Sequence, residues 1–122
     1  LHWDFHPMNV LVKNDTYFII DWIGASSGDP SADIARTVIV LLFSKNEGIL
    51  KNLDLYAVRK VFVKYYLSET LSLRNISNSE IQKWIPFVAA ARLSENLSKP
   101  EKNNLLELID QENARALVDS LF

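Results

Sequence analysis

The sequence predicts an α+β fold that is mainly α, in which one β-hairpin precedes a bundle of helices. Two short apolar runs, 10–12 and 17–20, flank the turn residues Asn14 and Asp15, which is the pattern of a β-hairpin. After residue 30, apolar residues recur at helical spacing and several segments open with residue types that cap helices. No internal repeat or linker divides the 122 residues, which suffice for one compact domain.

The composition is globular and excludes several classes of function. Lys and Arg number 13 against 15 Asp and Glu, and the net charge of −2 gives no general attraction to nucleic acid or anionic membrane. The absence of cysteine excludes disulfides and thiolate chemistry. The uncharged stretch 37–44 is far shorter than the roughly 20 residues that span a bilayer. We therefore expect no nucleic-acid or membrane partner, and a cytoplasmic location.

The first two helices are predicted from a start signal and from an apolar repeat. Asp29 and Pro30 combine an N-cap residue with proline at the first helical position, so a buried central helix is expected over about 31–43. A second helix is expected over about 52–68. Its apolar residues at helical spacing are Leu55, Val58, Phe62 and Tyr65 or Tyr66.

The remaining chain predicts three more helices. Ser77 and Glu80 form a capping box that opens a helix extending to about residue 96. Pro86 should kink or split that helix, because proline removes a backbone donor. Further helices are expected from residue 98 and over about 112–121.

The polar groups best suited to catalysis lie in the first twenty-one residues. His2, Asp4 and Asn9 precede the hairpin, and Asp21 follows it. Phosphoryl transfer needs a carboxylate that orients and deprotonates a hydroxyl, and the magnesium on the nucleotide needs oxygen ligands. Because a hairpin turns the chain back on itself, Asn9 and Asp21 should emerge side by side.

Other interpretations of these residues remain open. Taken singly, Asp4 is typical of a loop cap, Asn9 of a turn and Asp21 of a strand end. His2, Asp4 and His6 are also compatible with a hydrolase-type metal cluster, although the chain contains no further histidine to complete a zinc site. The ordered combination around a hairpin favours phosphoryl transfer.

Three segments together resemble a known family. They are His2-Trp3-Asp4-Phe5-His6-Pro7-Met8-Asn9, Ile19-Ile20-Asp21-Trp22, and Gly28-Asp29-Pro30 with Asp33-Ile34-Ala35. Their order and spacing resemble the aminoglycoside phosphotransferase and choline kinase superfamily, with its patterns H-G-D-x-x-x-x-N, I-D-[WF] and G-D-P-x-x-D-L-A. The first of these orders is also that of the protein kinase catalytic loop. The resemblance covers about the first thirty-five residues.

The resemblance implies a protein-kinase-like C-terminal catalytic lobe over residues 1–122. The catalytic loop, hairpin and metal site would occupy 1–30, and a helical subdomain would occupy 31–122. Nothing in the sequence resembles the glycine-rich loop or the lysine–glutamate pair that hold phosphates in kinase N-lobes. The chain also opens on Leu1, directly at the motif, so we expect a truncated C-lobe, without its N-lobe, that is inactive alone.

The resemblance also implies a role for each matched position. Asp4 would be the catalytic base. Asn9 and Asp21 would bind magnesium and, through it, the nucleotide. His2 and Asp33 would be structural supports that hold the catalytic loop by hydrogen bonds.

The implied full-length enzyme transfers phosphate from ATP (or GTP), with Mg²⁺, to a small-molecule hydroxyl. Acceptors compatible with the family are an aminoglycoside or other antibiotic (hence a role in antibiotic resistance), choline or ethanolamine, a sugar, or an amino alcohol. The alternative is a non-catalytic, pseudokinase-like binding module.

Two positions depart from the family pattern. Trp3 stands where the family has glycine, which accepts positive φ at little cost. Either the loop conformation differs or Trp3 packs towards the substrate side, and this residue keeps the pseudokinase-like alternative open. Ile23 replaces an acidic residue found in many relatives, which weakens any further metal or cationic-substrate contact there.

Overall fold

The computed structural model describes residues 1–45 and 55–122 and confirms the predicted fold class. Within this part of the chain it is mainly helical, with a single two-stranded antiparallel sheet. The elements are β1 (Val10–Lys13), β2 (Thr16–Ile19), α1 (Pro30–Phe43), α2 (Tyr56–Arg74), α3 (Asn78–Arg92), α4 (Lys99–Leu108) and α5 (Gln111–Asp119).

The hairpin forms where the sequence predicted it. β1 and β2 pair in antiparallel register from Val10 opposite Ile19 to the turn. The two turn residues, Asn14 and Asp15, have φ angles of 48° and 57°. Positive φ at both positions is the requirement of the tight turn that matches strand twist, and Asn and Asp tolerate this region better than most residues.

The predicted central helix is confirmed as α1. Asp29 caps it, since its Oδ1 accepts the backbone N–H of Ser31 at 2.8 Å, and Pro30 occupies the first turn. The other carboxylate oxygen accepts the indole N–H of Trp84 at 3.0 Å, which fastens the start of α1 to α3. Helix α1 packs against both α2 and α3. Its buried apolar residues are Ala32, Ile34, Ala35, Val38, Ile39 and Leu42.

Helix α2 is longer than expected and buries a different face. It ends at Arg74 rather than near residue 68, because the chain stops being helical only at Asn75, whose left-handed φ of 53° makes the C-cap. The predicted start, 52–54, lies outside the described residues. Its fully packed side chains are Val63, Leu67 and Leu71. Most of the predicted repeat is exposed, namely Val58, Phe62 and Tyr65.

Helix α3 begins with the predicted capping box and contains Pro86 without being split. Proline cannot donate to the carbonyl four residues earlier, which here belongs to Gln82. The side chain of Gln111 supplies the missing donor, with its Nε2 at 3.3 Å from that oxygen. The helix ends at Arg92, four residues before the predicted end.

The last two helices cover the remaining side of α3. The capping box of Ser98 and Glu101 opens α4, and Asp110 caps α5 through the backbone N–H groups of Glu112 and Asn113. Their buried side chains complete one continuous core with α1 and α3. None of the described helices is long and apolar enough to cross a membrane.

Candidate active site

The first two peptide N–H groups of the loop are held by α1. His2 N donates to Asp33 Oδ2 at 2.8 Å, and Trp3 N donates to Asp33 Oδ1 at 2.7 Å. Asp33 lies in the first turn of α1, where the partial positive charge of the helix N-terminus favours a carboxylate. One side chain therefore fixes two consecutive peptide groups.

The buried ring of His2 joins the loop to the far end of the hairpin. Its Nδ1 accepts the backbone N–H of Asp4 at 3.2 Å, so the ring proton lies on Nε2, which donates to the carbonyl of Ile20 at 2.9 Å. The ring of Trp22 covers it edge-on at a centroid distance of 4.5 Å. Both ring nitrogens are thus occupied by protein groups, which leaves His2 no lone pair for a metal.

Trp3 adopts the left-handed conformation, with a φ of 67°. Its indole N–H donates to Ser26 Oγ at 2.6 Å, and its carbonyl accepts the Nε–H of Arg36. Arg36 in turn pairs with Glu95, 2.6 Å away, which also accepts a hydrogen bond from the buried Arg92. The loop therefore keeps the conformation suited to glycine, and contacts from α1 and the end of α3 stabilise it there.

Asp4 and Asn9 are joined directly. Asn9 Nδ2 donates to the backbone carbonyl of Asp4 at 2.8 Å and to its carboxylate Oδ2 at 3.3 Å. Asn9 is buried, whereas the side chain of Asp4 is 47% exposed. The amide is oriented by two oxygen acceptors, so its own oxygen is the atom left to meet a ligand.

Asp21 follows β2 and lies at the open end of the hairpin, where Asn9 precedes β1. The backbone N–H of Ile20 donates to the carbonyl of Asn9 at 3.0 Å, which extends the strand pairing by one residue. Asp21 follows immediately, is exposed and has a φ of 62°. Among the described residues, none donates a hydrogen bond to its carboxylate.

The histidines and carboxylates of the described residues do not form a metal cluster. Over residues 1–45 and 55–122, no group of three or more His, Cys, Asp or Glu side chains is placed to hold a metal ion. The hydrolase-type cluster of His2, Asp4 and His6 is therefore not formed. The donors at the hairpin end are an amide oxygen and a carboxylate, a hard oxygen set that suits Mg²⁺ shared with phosphate oxygens.

The family comparison covers this segment. Residues 1–55 match the model of the phosphotransferase enzyme family. The matched family is part of the aminoglycoside phosphotransferase and choline kinase superfamily, and residues 1–55 are similar to it. Comparison with curated proteins and with solved structures gave no match. The match includes every residue predicted for the site, and it indicates a phosphotransferase without naming the acceptor.

The resemblance assigned no role to two residues of this candidate site. Arg36 lies one turn after Asp33 on α1, and that i, i+3 spacing was a signal that both would face the loop. His6 is followed by Pro7 at the start of a short 3₁₀ turn, and proline at that position indicated that His6 is a cap. What the ring of His6 contacts beyond that turn could not be inferred from local sequence.

Proposed function

We propose that this phosphotransferase moves the γ-phosphate of ATP (or GTP) to the hydroxyl of a small molecule. The observation that carries the proposal is the pairing of Asp4 with Asn9 at the end of the hairpin that also delivers Asp21. Asp4 would then supply the base, and Asn9 and Asp21 the two oxygen donors for a cation, from the same end of one hairpin, as phosphoryl transfer requires.

In this proposal, Asp4 orients the acceptor hydroxyl and receives its proton. Its Oδ2 accepts a hydrogen bond from Asn9, so Oδ1 would be the oxygen that faces the substrate. The exposure of the side chain gives a small alcohol access to it. General-base help of this kind contributes roughly 10²- to 10⁴-fold to a rate.

Asn9 and Asp21 would hold Mg²⁺ through Asn9 Oδ1 and the Asp21 carboxylate. Magnesium usually takes one or two protein ligands and completes its shell with water and phosphate oxygens. When bound, it would neutralise charge on the phosphate groups. His2 and Asp33 would keep this arrangement in place, because they fix the backbone on both sides of Trp3 and the carbonyl of Ile20.

The central test is Asp4→Asn in the full-length protein, assayed with Mg·ATP against a panel of alcohols. The substitution preserves shape and removes the base, so kcat should fall by roughly 10²- to 10⁴-fold while the melting temperature stays near wild type. Transfer at the wild-type rate by Asp4→Asn would refute the role of Asp4. The 122-residue chain alone should not turn over ATP steadily, because it lacks a glycine-rich nucleotide loop.

The metal ligands can be tested without an acceptor. Asp21 and Asp15 are both exposed aspartates with left-handed φ angles of 62° and 57°, so Asp→Asn is conformationally equivalent at the two positions. We expect Mn²⁺ to broaden the amide NMR signals of Asn9 and Asp21 selectively. Asp21→Asn should weaken this effect and Asp15→Asn should not. Equal loss in both variants would indicate nonspecific ion binding.

The left-handed Trp3 supports the alternative of a pseudokinase-like binding module, because bulky residues at such angles are uncommon. The two functions predict different results for the full-length protein. Magnesium-dependent nucleotide binding with no phosphate transfer to any alcohol in the panel would favour the binding module. Transfer that depends on Asp4 would exclude it.

A further inference from the structure

We propose that His6 is a positioning residue that holds the Asp4 carboxylate in its working orientation, an inference that rests on the proposed function. His6 caps the short 3₁₀ turn Pro7–Asn9, which connects the catalytic loop to β1. Its Nδ1 is 3.2 Å from the backbone nitrogen of Met8. On the other side of the ring, Nε2 lies 3.5 Å from Asp4 Oδ2 and 3.3 Å from Asn9 Nδ2.

These three contacts determine where the ring proton lies. The N–H of Met8 can donate to Nδ1 only if that nitrogen carries no proton, and Asn9 Nδ2 can donate to Nε2 only under the same condition there. A neutral imidazole has one proton, so only one of the two hydrogen bonds exists. Asn9 already has two oxygen acceptors on Asp4 for its two amide hydrogens. The N–H of Met8 has Nδ1 as its acceptor.

The proton of His6 is therefore assigned to Nε2. This form also agrees with electrostatics, because a ring lone pair facing a carboxylate oxygen is repelled, whereas an N–H facing it is attracted. Asp4 Oδ2 then faces two N–H groups, the hydrogen-bond donor Asn9 Nδ2 at 3.3 Å and the Nε2–H of His6 at 3.5 Å. Attraction from two N–H groups would restrain the carboxylate from rotating and keep Oδ1 directed to the acceptor hydroxyl.

Two substitutions separate this role from capping. In His6→Asn, the shorter side chain still accepts the N–H of Met8, because Asn is among the best N-cap residues, but nothing reaches Asp4. In His6→Gln, the terminal amide reaches the position of Nε2 and can donate to Asp4, while the cap is weakened. The pair thus removes one ring function at a time.

The first measurement is made on the 122-residue chain and needs no substrate. Ring ¹⁵N NMR should show His6 with a protonated Nε2 and an unprotonated Nδ1. A protonated Nδ1 would overturn the assignment, because Nε2 would then accept from Asn9 and could not attract Asp4. This result is independent of whether the protein is a kinase.

The second measurement is kcat of the full-length protein with Mg·ATP and the alcohol identified by the panel. His6→Asn should lower kcat by about 10- to 100-fold, since small misplacements of a reacting group have effects of this size, with KM for ATP unchanged. His6→Gln should recover most of the loss even if its melting temperature is lower. A wild-type kcat in His6→Asn would refute the positioning role and leave His6 only as the cap of the 3₁₀ turn. If Asp4→Asn also retained wild-type kcat, the proposed function itself would be the part that failed.

Discussion

The backbone N–H of Trp3 donates to Asp33 Oδ1 at 2.7 Å across thirty residues of sequence. The partner oxygen of the same carboxylate receives the N–H of His2. The loop that carries Asp4 is therefore attached to the first turn of the central helix by its backbone rather than by its side chains. Asp33 thus fixes the conformation of a loop that lies thirty residues earlier in the chain.

Asp33→Asn should destabilise the protein, because its amide NH₂ would face one of the two backbone donors. Hydrogen bonds to charged groups contribute about 1.5–3 kcal/mol, so we expect the free energy of unfolding to fall by about that amount. Urea unfolding followed by tryptophan fluorescence measures it. Glu112→Gln is the matched control, since Glu112 is an exposed acidic residue in the first turn of α5. Equal losses of unfolding free energy in both variants would mean that Asp33 stabilises the protein only through the helix dipole, and not through its two hydrogen bonds to the loop.

At position 3, glycine should give a more stable protein than alanine, which reverses the order found in helices. At a φ of 67° a Cβ costs about 1–2 kcal/mol, and only glycine avoids it. Both Trp3→Gly and Trp3→Ala lose the indole contacts, yet Trp3→Gly should be the more stable by about 1 kcal/mol. Val61 is exposed in the middle of α2, and there Val61→Ala should be more stable than Val61→Gly by about 1 kcal/mol. Chemical denaturation measures the free energy of unfolding of the four variants. A more stable alanine variant at both positions would contradict the left-handed conformation of residue 3.

The hydrogen bond from Gln111 to the carbonyl of Gln82 should depend on Pro86. In the wild-type background, Gln111→Ala should cost about 0.5–1.5 kcal/mol, because that carbonyl loses its donor. With Pro86→Ala, the backbone N–H at position 86 can donate to the same oxygen, so the cost should shrink towards zero. A double-mutant cycle on the free energy of unfolding isolates this coupling. Additive effects would mean that Gln111 does not replace the missing helical donor.

Stability should decline on acidification partly through Asp29. The N–H of Ser31, then the indole N–H of Trp84, lower the pKa of Asp29 below its ordinary value of 3.8, against a smaller opposing effect of burial. A carboxyl whose pKa is depressed by folding stabilises the protein above its unfolded pKa, and this contribution is lost as pH falls through the folded pKa. Melting temperatures above and below pH 3.8 should therefore drop on the acid side.

Asp29→Asn keeps an N-cap and removes the titrating group, so its melting temperature should fall less steeply with acid than that of the wild type. Asp15→Asn, in the hairpin turn, is the control that removes a carboxylate elsewhere. A wild-type slope in Asp29→Asn would show that the acid loss arises at other carboxylates, such as those of the two capping boxes at Glu80 and Glu101.

The sequence predicted best those features whose cause is local. The turn at Asn14 and Asp15 and the capping box of Ser77 each involve residues within a few positions of one another, so their chemistry is visible in a short window. The pairing of Asn9 with the strand leading to Asp21 also followed, because a two-residue turn fixes which residues lie opposite each other.

Features that depend on distant packing were not predictable in the same way. Helix α2 is apolar on more than one side, and packing against α1 favours burial of Val63 and Leu67 while Phe62 is exposed. The tautomer of His6 depends on Asp4 and Asn9 together, which no spacing rule encodes. The hydrogen bond from Gln111 to the carbonyl left without a donor by Pro86 likewise comes from another helix.

The hairpin constrains how far apart Asn9 and Asp21 can lie along the chain. Each additional pair of opposed residues adds one residue to β1 and one to β2. A longer hairpin with the same two-residue turn therefore separates the two positions by a larger, still even, number of residues. An odd separation would demand a bulge or a different turn. Parity of this interval is thus a criterion for deciding whether another sequence can present the same pair of oxygen donors.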